Sequence, residues 1–118
     1  MTNTVSASNT FNRDAKPLLK KYKTLRISLE KLIDNLIDDP FLGKSYGNDI
    51  YKVRLSDPSK GGGKSGGFRV MYYHLNRTAE GIEILLMFIY DKSEKSTIKK
   101  EEAVKKLKDI LNEHKGKD

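Results

Sequence analysis

The 118-residue chain contains no cysteine, three prolines and only two histidines. Without cysteine it forms neither disulfides nor thiolate metal sites. The histidines, His74 and His114, lie far apart in the sequence, so they do not favour a zinc site or a histidine acid–base pair. We therefore expect no metal and no other cofactor in the functional site.

Long hydrophobic runs are also absent. The longest apolar stretch, Ile82 to Tyr90, is interrupted by Glu83 and is far too short to span a bilayer. Residues 1–11 have neither a charged start nor an apolar centre, so they do not look like a secretory signal. These absences lead us to expect a cytoplasmic protein that makes no membrane contact.

Acidic residues are scarce in one part of the chain. The whole chain has 23 Lys+Arg against 16 Asp+Glu, a formal net charge of +7. The cations from position 52 to position 69 are Lys52, Arg54, Lys60, Lys64 and Arg69. Asp57 is the only acid in that stretch, whereas Glu30, Asp34, Asp38 and Asp39 gather on a predicted helix. This localised positive charge predicts a surface that binds anions.

The apolar periodicity predicts one α+β domain over residues 1–118, with the element order β-α-α-β-β-β-α and a mainly antiparallel, twisted sheet. Alternation in residues 5–11 predicts an edge strand. A helix starting near Asp14 would hold Pro17 in its first turn, and a second helix would run from Thr24 to a stop before Pro40. We expect these two helices to form a hairpin on one face of the sheet.

Three predicted strands follow the helical hairpin, and their alternation separates apolar from basic side chains. In residues 50–55 the apolar side chains should face the hairpin, which leaves Lys52 and Arg54 on the opposite face. That apolar set is Tyr51, Val53 and Leu55. In the next strand Arg69 and Tyr73 share one face. The basic residues of the two strands should therefore lie side by side.

The remaining elements complete the predicted core. Residues 82–90 are apolar on both faces, as expected of a central strand covered on both sides. His74 shares a face with Tyr72, so we expect it in the core or at its rim. A last helix should begin at Ser96 or Thr97. Its inward residues would be Val104, Leu107, Ile110 and Leu111.

A glycine-rich loop joins the two basic strands. It reads Lys60-Gly-Gly-Gly-Lys-Ser-Gly-Gly-Phe-Arg69, and its Gly63-Lys64-Ser65 suggests a nucleotide-binding P-loop. That motif needs a glycine where Pro58 stands and a helix after the loop, whereas a strand follows here. We therefore exclude an NTPase, although the glycines would let a nucleic-acid backbone approach closely.

The cations of these strands predict a phosphate site. Like charges directly opposite one another destabilise a sheet, so a cluster of them indicates that an anion lies between them. The predicted catalytic set is Lys52, Arg54, Arg69 and Lys92, and the predicted RNA-binding set is Lys60, Lys64, Tyr73 and Lys95. Tyr73 would stack on an unpaired base. The alternative for the cations is a solvated basic face without a ligand. The alternative for Tyr73 is a place in the core.

Several segments resemble the RelE/ParE toxin superfamily. Those on the predicted strands are Ile-Tyr-Lys-Val-Arg-Leu (50–55), Gly-Gly-Phe-Arg-Val-Met-Tyr-Tyr (66–73) and Ile-Tyr-Asp-Lys-Ser-Glu (89–94). Residues 11–22 and Asp39-Pro-Phe-Leu-Gly43 extend the resemblance over nearly the whole chain, and the lysine–glycine loop is similar to that of the HigB-type branch. The resemblance implies a RelE-like fold and a toxin of a type II toxin–antitoxin pair.

The resemblance also implies an activity and a set of partners. Such toxins cut mRNA in the ribosomal A site, and here the metal-independent attack of the RNA 2′-hydroxyl would break the chain. An acidic cognate antitoxin would hold the toxin inactive, and operator DNA would be contacted only through that antitoxin. The family's two basic strand residues fall on Lys52 and Arg54, its phosphate-binding arginine on Arg69, and its last basic residue on Lys92.

One departure from the family pattern leaves the activity open. Some members carry a catalytic tyrosine near the start of the C-terminal helix, and residues 93–102 contain none. Two alternatives to the nuclease are a ParE-like gyrase poison with the same fold and an inactive RNA-binding relative, because a shared fold does not separate these activities.

Overall fold

The computed structural model describes residues 2–60, 67–95 and 97–116. The predicted phosphate ligand Lys64 and the predicted helix start at Ser96 lie outside the described residues. The elements in chain order are β1 (Thr4–Ala7), α1 (Asn9–Lys21), α2 (Leu25–Asp38), β2 (Lys44–Gly47), β3 (Ile50–Leu55), β4 (Phe68–Thr78), β5 (Gly81–Asp91) and α3 (Lys100–Gly116). In these ranges no helix has the length and apolar character needed to cross a membrane.

The strands form one five-stranded sheet in the order β1-β5-β4-β3-β2. β1 runs parallel to β5, and the other three pairings are antiparallel. β1 lies at the edge, as predicted, but it ends at Ala7, so residues 9–11 of the predicted strand belong to α1. The predicted α+β class and mainly antiparallel sheet are confirmed.

The sheet has a hydrophobic cluster on each face. The hairpin face packs against α1 and α2, and its cluster includes Tyr51, Leu55, Val70, Tyr72, Leu29 and Leu36. The α3 face packs against α3, and its cluster includes Ile50, Met71, Leu85, Phe88, Leu107 and Ile110. The predicted alternation in β3 and β4 is confirmed, because the two clusters divide each strand residue by residue.

The first helix begins five residues earlier than predicted. Ser8 caps it by accepting a hydrogen bond from the Phe11 N–H at 2.9 Å, so α1 starts at Asn9 and not near Asp14. Pro17 consequently lies inside the helix instead of in its first turn. It is on the exposed side, where water can reach the carbonyl that its missing N–H leaves without a helical partner.

β2 is a strand that the sequence pattern did not predict. It forms a hairpin with β3 through Asn48 and Asp49, whose φ angles of 54° and 63° lie in the left-handed region. Two consecutive positive φ values are the requirement of a type I′ turn, in which asparagine and aspartate are favoured. The local signal was therefore present, but the strand that precedes it is only four residues long.

The last helix starts later than predicted. α3 begins at Lys100 instead of Ser96 or Thr97, and Thr97 through Lys99 form a non-helical approach to it. Its buried residues are Ala103, Leu107 and Ile110, with Val104 and Leu111 partly buried beside them. The predicted inward stripe is thus confirmed although the first turn is not.

Candidate anion-binding groove

A groove of about 630 Å³ opens on the α3 face, between the β2–β3 hairpin and the end of β5. Its described lining is Leu42, Gly43, Lys44, Lys52, Val53, Arg54, Arg69, Lys92 and Thr97. Five of these nine residues are cations, and none of the described lining residues is acidic. We call this feature the basic groove.

The strand register explains why the cations meet. Arg54 on β3 lies directly opposite Arg69 on β4, and Lys44 on β2 lies opposite Lys52 on β3. Lys92 follows β5, and its backbone N–H donates to the Gly67 carbonyl at 3.1 Å. All four residues of the predicted catalytic set therefore line one groove, with Lys44 as a fifth cation.

Gly43 brings the chain close enough to close the groove on its outer side. A Cβ at this position would collide with the carbonyl oxygen of Lys52. The Gly43 N–H donates to the Tyr72 hydroxyl at 3.0 Å, which ties the start of β2 to the core. Glycine is therefore needed here for backbone approach.

The two arginines of the groove differ in exposure. Arg54 is exposed, whereas Arg69 is only 4% exposed and donates from Nη1 to the Phe68 carbonyl at 3.2 Å. Arg69 thus forms the floor of the basic groove and Arg54 its rim. An anion entering from solvent would meet Arg54 first and approach the Arg69 charge from above.

The groove lysines have no carboxylate partner among the described residues. Lys92 donates to the neutral Thr97 hydroxyl at 3.3 Å, and the Lys52 ammonium lies 5.2 Å from the centre of the Tyr46 ring. Within the described ranges Lys44, Lys52 and Lys92 form no ion pair, whereas lysines elsewhere, such as Lys60 and Lys95, do. These three lysines therefore give the groove a positive charge that no described acid neutralises by direct pairing.

Lys60, a predicted phosphate ligand, does not lie in the basic groove. Its ammonium forms a 2.8 Å ion pair with Asp91 and stands 5.1 Å from the ring centre of Tyr22 and 5.8 Å from that of Phe68. Those rings belong to the hairpin-face cluster. The buried Asp91 carboxylate attracts the lysine to the opposite side of the sheet from the groove.

Tyr73 and Lys95 are also outside the described lining of the groove. Tyr73 is half-buried against the α3-face cluster, so its ring serves the core. Lys95 is exposed and lies 3.7 Å from Glu102. The Glu102 carboxylate on α3 would thus compete with RNA for the Lys95 ammonium.

β2 supplies two residues that sequence reasoning missed. Lys44 lines the groove, and the half-buried Tyr46 packs against the α3-face cluster beneath the Lys52 ammonium. A cation over an aromatic face is favourable by about 0.5–1 kcal/mol at exposed sites. Tyr46 therefore holds Lys52 beside the groove, and the Asn48-Asp49 turn signal was the clue to its position.

His74 lies apart from the groove, in the core of the hairpin face. It is 3% exposed, its Nε2 is 2.7 Å from the Pro40 carbonyl, and its Nδ1 accepts from Arg77 Nε at 3.1 Å. Burial, followed by the Arg77 charge, lowers the pKa of His74. The prediction of a core histidine is confirmed. Among the described residues no group of three or more His, Asp or Glu side chains is arranged to hold a metal ion.

No protein-family model matches the chain, and no curated protein matches it. Among solved structures, it is similar to the E. coli toxin RelE in the free state, in a form with two arginines replaced by alanine. The TM-score is 0.54 and the identity 18%, over 96% of this chain and 98% of that chain. The chain therefore has a RelE-like fold over nearly its whole length.

Proposed function

We propose that the chain is the toxin of a type II toxin–antitoxin pair and cuts mRNA on the ribosome. The observation that carries the proposal is the convergence of five cations in one open groove of a RelE-like fold, with no acid in its described lining. RNA supplies closely spaced phosphates and unpaired bases that fit such a groove. The lysine–glycine loop supports the HigB-type branch.

The proposed reaction uses RNA as its own nucleophile. The 2′-hydroxyl oxygen attacks the adjacent phosphorus, and the bond from phosphorus to the 5′ oxygen breaks. The products are a 2′,3′-cyclic phosphate and a free 5′-hydroxyl, with the proton lost by the 2′-hydroxyl balanced by the one gained at the 5′ oxygen. The protein's task is to stabilise the additional negative charge on the phosphate and to transfer those protons.

The two facing arginines suit the first task. A guanidinium remains charged at all working pH values and binds phosphate oxygens in a planar fork. Arg54 at the rim and Arg69 at the floor would hold the non-bridging oxygens from two sides. Removing one donor that is placed in advance around developing charge commonly lowers the rate by about 10²–10³.

The lysines suit the second task. Lys52 and Lys92 both line the groove, one on β3 and the other after β5. One, as the neutral amine, would accept the 2′ proton, and the other, as the ammonium, would supply the 5′ proton. No tyrosine stands in residues 93–102 to share this work. Alignment of the RNA by the ribosome would supply much of the remaining acceleration.

Primer extension on cellular mRNA after brief induction tests the proposal. We expect cuts in codon register with the wild-type chain and none with Arg54→Ala plus Arg69→Ala. Lys16→Ala, on the exposed side of α1, is the matched control and should cut normally. Loss of DNA supercoiling without mRNA cuts would replace the nuclease with a gyrase poison, and neither effect would leave an inactive RNA-binding relative.

The proposed partner is an acidic antitoxin that covers the basic groove. Opposite charge would speed its association and direct it to this face. Co-expression with the acidic protein of the same operon should give a complex that no longer binds RNA. Arg54→Glu should weaken that complex, whereas Lys16→Glu should not. Equal capture of both variants would place the antitoxin elsewhere.

A further inference from the structure

We propose that the Lys60–Asp91 ion pair is a positioning contact of the basic groove. The pair lies on the hairpin face and fixes the end of β5, and this holds Lys92 in the groove on the other face of the sheet. The inference rests on the proposed function only for its effect on RNA. Its structural part stands on the contacts of Lys60, Asp91 and their neighbours.

The ammonium of Lys60 has no donor left for a phosphate. A lysine ammonium has three N–H donors. Three acceptors surround this one: Asp91 Oδ2 at 2.8 Å, Ser93 Oγ at 3.3 Å and Tyr22 Oη at 3.5 Å. The lysine side chain is only 15% exposed. The geometry therefore makes Lys60 a structural cation, in contrast to the groove lysines.

The carboxylate of Asp91 is equally saturated. Its Oδ2 accepts from Lys60 and from the Tyr22 hydroxyl at 3.1 Å, and its Oδ1 accepts from the Ser93 N–H at 3.0 Å and hydroxyl at 2.8 Å. A carboxylate offers about four acceptor positions, and four donors fill them. These hydrogen bonds hold the pKa of Asp91 down at about 2 although burial opposes them. The carboxylate is thus charged and held at neutral pH.

The network acts on the groove through the backbone. Asp91 ends β5 opposite Phe68, and Lys92 is the next residue. Asp91 is held on the hairpin side, and Lys92, the first residue after the strand, lies in the groove lining on the other face, so a displaced Asp91 would move Lys92 as well. The Lys92 N–H donates to Gly67, whose φ of +76° and close approach to the Leu55 carbonyl admit no side chain. The hydrogen bond from Lys92 to Gly67 therefore links the position of Lys92 to the start of β4, the strand that carries Arg69.

Amide hydrogen exchange tests the structural part without any RNA. In Lys60→Met we expect exchange at the Lys92 amide to accelerate by about tenfold or more, because local opening no longer breaks the ion pair. The His74 amide, bonded to Asp49 at the far end of β4, should keep its rate. Lys60→Arg should restore most of the protection, and Lys16→Met, with the same loss of charge, should change neither amide.

A milder variant keeps the test usable if Lys60→Met does not fold. Ser93→Ala removes one donor to Asp91 and one acceptor from Lys60 while leaving the ion pair. It should accelerate exchange at Lys92 by about two- to fivefold. Unchanged exchange at Lys92 in the folded variants would overturn the proposal.

Binding of a ten-nucleotide single-stranded RNA distinguishes a positioning residue from a phosphate ligand. Loss of a phosphate contact lowers the slope of log affinity against log salt by about 0.7 for single strands. Lys60→Met should weaken binding and lower that slope by no more than the one contact of the displaced Lys92, always together with faster exchange at the Lys92 amide, and should lower kcat more than it raises KM for cleavage. A lower slope with unchanged exchange would make Lys60 a ligand. If the wild type gives no mRNA cuts by primer extension, the proposed function fails, and the exchange result still decides this inference.

Discussion

The two faces of the sheet use charged residues in opposite ways. On the hairpin face, α1 and α2 cover the strands, and the charged groups there are matched: Lys60 with Asp91, and Asp57 with the hydroxyls of Thr24, Ser28 and Ser59. On the α3 face, the helix covers only part of the sheet, and beyond it Arg54 faces Arg69 without an acid in the described lining. The same strand alternation thus produces one face of matched charges and one face where like charges gather.

The difference separates residues that hold the fold from residues available to a ligand. Removing one partner of a buried, hydrogen-bonded charge pair strongly destabilises the fold. Like charges that face each other across strands already lower the stability of the fold, so their removal costs little. Substitutions on the hairpin face should therefore lower stability, and substitutions in the basic groove should chiefly change binding and activity. Measurements of unfolding, cleavage, RNA binding and pH dependence would each test that separation.

The largest loss of stability should come from the core of the hairpin face. Leu36 is fully buried on α2, so Leu36→Ala should reduce the free energy of unfolding by about 2–5 kcal/mol. Ile37, the next residue on the same helix, is 38% exposed and provides the matched control. Urea unfolding would measure both. Equal losses for Leu36→Ala and Ile37→Ala would show that this face does not carry the core.

The largest loss of activity should come from the floor of the groove. Arg69→Ala should reduce mRNA cleavage by about 10²–10³, because in the proposed function the Arg69 guanidinium is a fixed donor to the phosphate. Arg69→Lys should retain part of the activity through its charge but lose the planar fork. Thermal unfolding of each variant must accompany the assay, since Arg69 is buried. Near-normal growth arrest by a folded Arg69→Ala chain would contradict the role.

Much of this contrast was predictable from the sequence, because strand alternation is a local property. The division of Tyr51 and Val53 from Lys52 and Arg54 follows from a period of two, and the same period in β4 puts Arg69 on the matching face. The position of Lys92 beside these cations follows once the three strands are taken as neighbours in the sheet. Periodicity thus sufficed for four of the five groove cations.

The surroundings of Lys60 and the strand β2 escaped prediction for different physical reasons. Lys60 belongs to an irregular loop, where no period fixes the face, and its partner Asp91 lies 31 residues away. β2 has only four residues, too few for a pattern, and depends on the Asn48-Asp49 turn for its pairing. Long-range ion pairs and short hairpins therefore limited the prediction of the site more than strand periodicity did.

A smaller effect should follow from removing one groove lysine. Lys52→Ala should lower the slope of log affinity against log salt for single-stranded RNA by about 0.7, the value for one phosphate contact. Its unfolding free energy should fall by no more than about 1 kcal/mol, the upper value for the cation–π contact with Tyr46 that the substitution removes. Lys16→Ala is the control with the same charge change. Equal slopes for the two variants would show that the groove does not follow the RNA backbone.

The smallest effect concerns pH and belongs to the hairpin face. His74 donates from Nε2 to Pro40 while its Nδ1 accepts from Arg77, so the folded chain favours the neutral ring. Burial lowers the pKa of His74 from 6.5 and the Arg77 charge adds to this, while the hydrogen bond to Pro40 and, less strongly, Asp49 oppose it. The unfolded chain therefore binds the proton first as pH falls. The stability from His74 is complete above pH 6.5 and is lost as pH drops toward the folded pKa.

The expected slope is at most about 1.4 kcal/mol per pH unit, the value for one proton. His74→Gln keeps an amide donor for Pro40 but does not titrate, so its unfolding free energy should be flatter than that of the wild type just below pH 6.5. Urea unfolding at half-unit pH steps would measure the difference. RNA affinity should show no step that depends on His74, because the ring lies on the covered face. A step in binding that disappears with His74→Gln would show that the two faces are coupled.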